Sequence, residues 1–174
     1  MRSVRDFDKW LTELVQDLPA SAKQVMQSVS FLGEPLLVLL VGLVGFISAA
    51  VRHQSNVERA FVYAAVAFTL STLLKLLLRR ARPHNLDVRT FGVPSYSFPS
   101  GHAFGTVIFY GLFSYLDIKY LAQPWNLVVG VVVGILIFLT GVSRVYLKAH
   151  YPSDVLGGWL LGLVALFIII SLAF

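Results

Sequence analysis

The chain has no cysteine, which removes disulfides, thiolate metal sites and cysteine nucleophiles from consideration. It is also poor in charge. Only 13% of its 174 residues are Asp, Glu, Lys or Arg, against about 25% in an ordinary soluble domain. No internal repeat or low-complexity linker is present, and no basic stripe is interleaved with aromatics. The net charge of +5 therefore reads as a positive-inside bias or a match to an anionic ligand, and nucleic acid is not an expected partner. The first 30 residues mix acids with bases and have no apolar h-region, so a signal peptide is not expected there. What the chain does have is apolar surface. At 57% hydrophobic residues, most of its helices must be apolar all round, which suits lipid better than water.

Along residues 4–18, Phe7, Trp10, Leu11, Leu14, Val15 and Leu18 recur at helical spacing and form one apolar stripe, ended by Pro19. Two placements fit this amphipathic helix: lying in the membrane interface with Trp10 at headgroup level, or packed on the rest of the protein. Residues 20–30 form a second short amphipathic segment. Five apolar runs follow, at Pro35–Val51, Ala60–Leu78, Ala103–Leu116, Trp125–Val142 and Val155–Phe174. The third is short and needs its flanks to reach the ~20 residues of a span. The expected architecture is an all-α integral membrane bundle of about five transmembrane helices, in a single domain. Residues 1–30 form its amphipathic N-terminal segment and 31–174 its core. Strict alternation of five spans puts the N-terminal segment and the 79–100 and 144–154 loops on one face. Every unusual cluster of polar residues lies on that face.

Three clusters carry the chemistry. In Lys75-Leu-Leu-Leu-Arg79-Arg80-Ala-Arg82-Pro83, residues Lys75, Arg79 and Arg82 would share one helical face, and Arg80 would point elsewhere. Arg79 and Arg80 read best as a snorkelling basic cap. Lys75 lies a turn inside the apolar run, where a charge demands a partner or a function. In Pro99-Ser100-Gly101-His102, the residues Ser100 and Gly101 open a helix whose free N–H groups make an anion site, and His102 is more than a cap requires. In Ser143-Arg144-x5-His150-x3-Asp154, Pro152 suits a helix start and Asp154 its first turn. The i, i+4 spacing lets Asp154 reach back to one nitrogen of His150 and leave the other free to attack or to move a proton. Only Asp154 and Asp87 supply carboxylates in these loops, too few for a two-metal or magnesium site. Cations and histidines without a metal suit phosphate chemistry, in which positioning and charge stabilisation do most of the catalysis. His84, beside Arg82-Pro83, could touch a headgroup, as could Arg79; His53 reads as an ordinary loop residue on the far face.

Lys75-x6-Arg82-Pro83, Pro99-Ser100-Gly101-His102 and Ser143-Arg144-x5-His150-x3-Asp154 together resemble the three-part signature of the type 2 phosphatidic acid phosphatase superfamily, which also includes vanadium haloperoxidases. The resemblance covers residues 75–154 and leaves 1–55 unsupported. It implies a membrane lipid phosphatase without cofactor or metal, acting on a lipid phosphate or diphosphate. His150 would attack phosphorus and form a phosphohistidine, Asp154 would orient it, and His102 would protonate the leaving oxygen. Lys75, Arg82, Ser100, Gly101 and Arg144 would hold the phosphate oxygens. Undecaprenyl diphosphate, phosphatidylglycerophosphate, phosphatidate and lipid A phosphates are the implied substrate classes. Alternatives are a lipid-phosphate phosphotransferase, a haloperoxidase, and a transporter or scaffold that only binds anionic headgroups. Loop cations counted by the positive-inside rule place the site in the cytoplasm. Resemblance to bacterial lipid phosphatases implies the extracytoplasmic face of a bacterial cytoplasmic membrane. The sequence fixes no oligomeric state.

Overall fold

The computed structural model describes residues 3–83, 89–90 and 93–174. Seven helices are present among them: α1 (Val4–Gln16), α2 (Ala22–Leu32), α3 (Pro35–Val51), α4 (Ser55–Leu78), α5 (Gly101–Tyr120), α6 (Trp125–Tyr146) and α7 (Pro152–Ala173). Between α4 and α5, the two-residue strands β1 (Arg89–Thr90) and β2 (Val93–Pro94) pair antiparallel. The sequence marks several of these boundaries. Pro35 and Pro152 occupy first turns, where a missing N–H costs nothing. At α1, the Ser3 hydroxyl accepts the Asp6 N–H at 3.2 Å, and the Asp6 carboxylate accepts the Ser3 N–H at 3.0 Å, a reciprocal cap.

The central element is α5. It packs on α3, α4, α6 and α7, and from His102 to Phe109 its residues are buried without interruption. Phe104, Ile108, Phe109 and Leu112 meet Phe61 and Phe68 of α4 and Val38 of α3 in the main core. The approach of α7 to α5 depends on missing side chains. A methyl on Gly158 would sit 2.8 Å from the Ser100 carbonyl oxygen, and one on Gly162 would sit 2.9 Å from Val107 Cβ. The outward faces of α3, α6 and α7 expose Leu40, Val44, Val132, Ile135, Leu160 and Phe167, as expected of surfaces solvated by acyl chains.

Three helices, α4, α6 and α7, are individually long and apolar enough to cross a membrane. A fourth span is obtained if α2 and α3, bent by 44° at their junction, count as one. The protein is an integral membrane protein; beside the expected five or so transmembrane helices, three to four candidate spans stand among the described residues. Since α5 is enclosed by other helices, it carries His102, Thr106, Ser114, Asp117 and Lys119, which a lipid-facing helix would have to desolvate.

Of the two placements open to the N-terminal segment, the structure shows packing on the protein. The α1 helix packs against α6 and α7, with Asp8 buried and Val15 against Val145 and Val155, while Trp10 and Leu14 on its other side stay exposed.

Candidate active site

The last turn of α6 sets two site residues at once. Lys148 adopts the left-handed conformation (φ 57°), its N–H donates to Val145 O at 3.0 Å, and the Ala149 N–H donates to Arg144 O at 3.0 Å. This is a Schellman termination with lysine where glycine is usual. The His150 N–H bonds to the same Arg144 carbonyl at 3.2 Å. Backbone geometry at one helix end therefore fixes the spacing of Arg144 and His150.

Asp154 follows in the first turn of α7, fully buried. Its Oδ2 accepts the Ser97 hydroxyl at 2.5 Å and the Tyr151 N–H at 2.9 Å, and lies 3.7 Å from His150 Nδ1. Ser97 Oγ is in turn 3.4 Å from that same nitrogen. The other oxygen, Oδ1, accepts from Arg80 at 2.6 Å. Nδ1 of His150 thus faces the carboxylate and the serine, and Nε2 points away from them. Burial lowers the His150 pKa below the usual histidine range, and Arg82, Lys75 and Arg144 push it the same way against the pull of Asp154. That direction favours the neutral ring, the form a nucleophilic nitrogen needs.

Ser100 caps α5, with its Oγ 3.5 Å from the Ala103 N–H, and its own N–H donates to the Asp154 carbonyl at 3.0 Å. That bond ties the starts of α5 and α7 together. His102, buried in the first turn of α5, directs Nε2 at Glu34 Oε2, 3.1 Å away. Lys75 reaches this point from α4: a methyl added to Gly101 would lie 3.4 Å from its Nζ. Lys75 and Arg144 are close enough to act electrostatically on both histidines. Arg144 bonds Ser30 Oγ through Nη1, and its buried Nε has no partner among the described residues, the kind of orphan donor that a bound anion would satisfy. Arg82 is oriented by its donors to Ser95 O (2.8 Å), Ser95 Oγ (3.0 Å) and Ala149 O (3.1 Å). Burial lowers its pKa from the free value, and Asp154 opposes the shift.

The structure therefore gathers Lys75, Arg82, Ser100, Gly101, His102, Arg144, His150 and Asp154 at the ends of α4, α5, α6 and α7. Two sequence expectations change. Arg82 does not share a helical face with Lys75, because α4 ends at Leu78 and Arg79 turns left-handed (φ 46°). Arg79 is exposed and bonds back to Leu76 O at 3.1 Å, apart from the cluster. Arg80, expected to be a snorkelling cap, is instead turned inward by that same reversal. It bridges Asp154 to Asp8 of α1 (2.7 Å) and lies over the Tyr151 ring at 4.7 Å. Asp8 also accepts the Ser153 N–H and hydroxyl, each at 2.8 Å. His84 and Asp87 lie outside the described residues. Among those that are described, no group of three or more His, Asp or Glu side chains is placed to share a metal ion.

The sequence reading missed Ser97, Arg80, Asp8, Ser153 and Glu34. Ser97, two residues before Pro99, lay within sight of a motif. The others are joined across 68 to 145 positions of chain and leave no local signal. A cavity of about 590 Å³ between α1 and the 145–151 segment has His150, Arg80, Arg5, Lys9 and Lys148 on its walls.

Residues 57–174 match the family model described as the PAP2 superfamily. Among curated proteins, the chain is 35% identical over 102 residues to phosphatidylglycerophosphatase B of Bacillus subtilis, covering 58% of this chain and 49% of that one. It is 33% identical over 102 residues to undecaprenyl-diphosphatase of Sulfolobus acidocaldarius, covering 56% and 45%. The chain is also 34% identical over 113 residues to lipid A 1-phosphatase of Rhizobium etli, covering 59% and 45%. The chain thus spans about half the length of these relatives. Among solved structures, the transmembrane PAP2-type phosphatidylglycerolphosphate phosphatase of Bacillus subtilis superposes with a TM-score of 0.81 at 26% identity, covering 99% of this chain and 87% of that one. LpxE of Aquifex aeolicus shares the fold, with a TM-score of 0.67 at 21% identity over 92% and 93%. By the extent of the family match and by the fold, this chain belongs to the PAP2 superfamily.

Proposed function

We propose that the protein is a membrane lipid phosphatase that works through a phosphohistidine, without a metal. The observation that carries this reading is the pairing of two histidines, each facing a carboxylate through a different ring nitrogen, under a common set of cations. His150, neutral and backed on Nδ1 by Asp154, presents Nε2 as the nucleophile. In the first step, Nε2 attacks phosphorus, the bond from phosphorus to the lipid oxygen breaks, and that oxygen takes a proton from His102. In the second, His102 takes a proton from water as the water oxygen attacks phosphorus, and the phosphorus–nitrogen bond breaks to release inorganic phosphate. Lys75, Arg82, Arg144, the Ser100 hydroxyl and the Gly101 N–H would hold the non-bridging oxygens, where charge develops in the transition state.

The relatives act, by name, on phosphatidylglycerophosphate, undecaprenyl diphosphate and lipid A, and these head the list of substrates to try. A site at the ends of apolar helices admits a headgroup while the tails stay in lipid. In this reading the site faces the extracytoplasmic side of a bacterial cytoplasmic membrane, as the family resemblance implies. The test is release of inorganic phosphate from each lipid by the purified protein in detergent, with and without excess EDTA, beside His150→Ala. Turnover in EDTA that disappears in the folded variant is the expected result. Full activity of His150→Ala, or a strict need for added divalent metal, would sink the reading.

A further inference from the structure

Glu34 lies outside the stretch that matches the family model, yet it is in hydrogen-bond contact with the His102 ring (Nε2 to Oε2, 3.1 Å). It precedes Pro35 at the junction where α2 and α3 bend by 44°. The junction is fastened to the site at several points. The Tyr110 hydroxyl of α5 donates to Leu32 O at 2.6 Å, and Thr140 of α6 donates to Val29 O at 3.5 Å. Arg144 bonds Ser30 Oγ. Gly33 lies so close to α6 and α5 that a methyl there would overlap Thr140 Cγ2 and come within 3.5 Å of His102 Cδ2. Pro35 Cγ would be 3.9 Å from a methyl on Gly101. Together these contacts hold one carboxylate against one imidazole.

The charges around His102 give that carboxylate its purpose. Burial pushes the His102 pKa below the usual histidine range, Arg144 from α6 and Lys75 from α4 push it the same way, and Glu34 opposes them. A histidine that must donate a proton to a leaving oxygen has to hold that proton beside two cations and a phosphate pocket. A carboxylate on Nε2 favours the imidazolium and fixes the ring, leaving Nδ1 to face the substrate.

We propose that Glu34 is a positioning residue for the general acid: it accepts from His102 Nε2 and turns the ring so that Nδ1 faces the departing lipid oxygen and passes it the proton taken up for that step. The inference rests on the phosphatase reading above. It completes the site with a residue of the N-terminal segment. Glu34 does not touch the phosphate, and its effect is confined to the step that needs a proton.

The experiment therefore varies the leaving group. A lipid alkoxide is a strong base and must be protonated as it departs, whereas 4-nitrophenolate departs without that help. Single-turnover rates would be measured in detergent for the wild type, Glu34→Gln, Glu34→Asp and His102→Ala, with a short-chain phosphatidate and with 4-nitrophenyl phosphate. Size-exclusion and thermal-unfolding profiles would show that each variant is folded. For Glu34→Gln, the loss on phosphatidate is expected to exceed the loss on the aryl ester by about 10- to 100-fold, the scale of one charge-assisted hydrogen bond. Glu34→Asp is expected to recover part of it, and His102→Ala to show the same selectivity more strongly. Equal losses on both esters, or no loss, in a folded Glu34→Gln would overturn the proposal while His102→Ala still discriminates. Failure of His102→Ala to discriminate would overturn the general-acid role of His102 and the inference with it, and wild-type inertness toward both esters and toward the lipids named above would overturn the phosphatase reading itself.

Discussion

The two histidine–carboxylate pairs of this protein are built in opposite ways. His150 and Asp154 are four residues apart, set by one helix end and the next helix start, and the Asp154 side chain is 0% exposed. His102 and Glu34 are 68 residues apart, and the Glu34 side chain is 53% exposed. In the first pair the carboxylate backs Nδ1 and leaves Nε2 free; in the second it backs Nε2 and leaves Nδ1 free. The difference matches the work proposed for each. A nucleophile needs a neutral ring held in one tautomer, which a buried, multiply bonded carboxylate provides. A proton donor needs a ring that gains and loses its proton every cycle, which a carboxylate open to its surroundings permits.

Removing the buried partner should do the most damage. Asp154→Asn takes away the acceptor that fixes His150 and leaves Arg80 facing a neutral amide. A fall in phosphohistidine formation of about 10⁴-fold is expected, the scale on which a catalytic imidazole depends on its carboxylate. Rapid-quench measurement of the first turnover checks it, and a loss smaller than that of Glu34→Gln would invert the comparison. Asp8→Ala comes next. It unties α1 from Arg80 and Ser153 but leaves both histidine pairs in place. A stability loss of about 1–2 kcal/mol is expected, since Arg80 is partly exposed and keeps Asp154. Thermal unfolding in detergent checks the stability, and the fraction of α1 cleaved by limited proteolysis should rise. The smallest effect is expected at Lys148. Replacing it with glycine removes the left-handed penalty of about 1 kcal/mol, so Lys148→Gly should raise the unfolding temperature slightly and keep His150 in place. A large loss of activity would show that the side chain, and not only the turn, serves the site.

What the sequence disclosed follows from how each contact is made. Lys75, Ser100, Gly101, His102, Arg144, His150 and Asp154 stand in short segments with helical spacing, proline starts and a capping serine, so pattern and chemistry agreed locally. Glu34 offered only a charge before a proline, and Asp8 looked like one of several acids on the polar side of an amphipathic helix. Their partners lie in distant helices, and no periodicity announces that. Arg80 was misplaced for a different reason. Helical phase was carried through Arg79, whereas the left-handed turn there resets the direction of the next side chain. The apolar run of α5 reads like the others in sequence, yet α5 is enclosed by other helices and falls outside the set of candidate spans.

The missing methyls of Gly158 and Gly162 have a consequence for how substrate range can change. Ser100 O lies where a Gly158 side chain would begin, and the Ser100 N–H is bonded to Asp154 O, so the starts of α5 and α7 move as one piece. That wall of the reaction chamber cannot be widened by a single substitution without losing the contact that aligns it. The α1 helix, by contrast, is fastened beside Asp154 through side chains, with Asp8 accepting from Arg80 and Ser153. Residues there can be exchanged one at a time, while the glycine-locked side stays as it is.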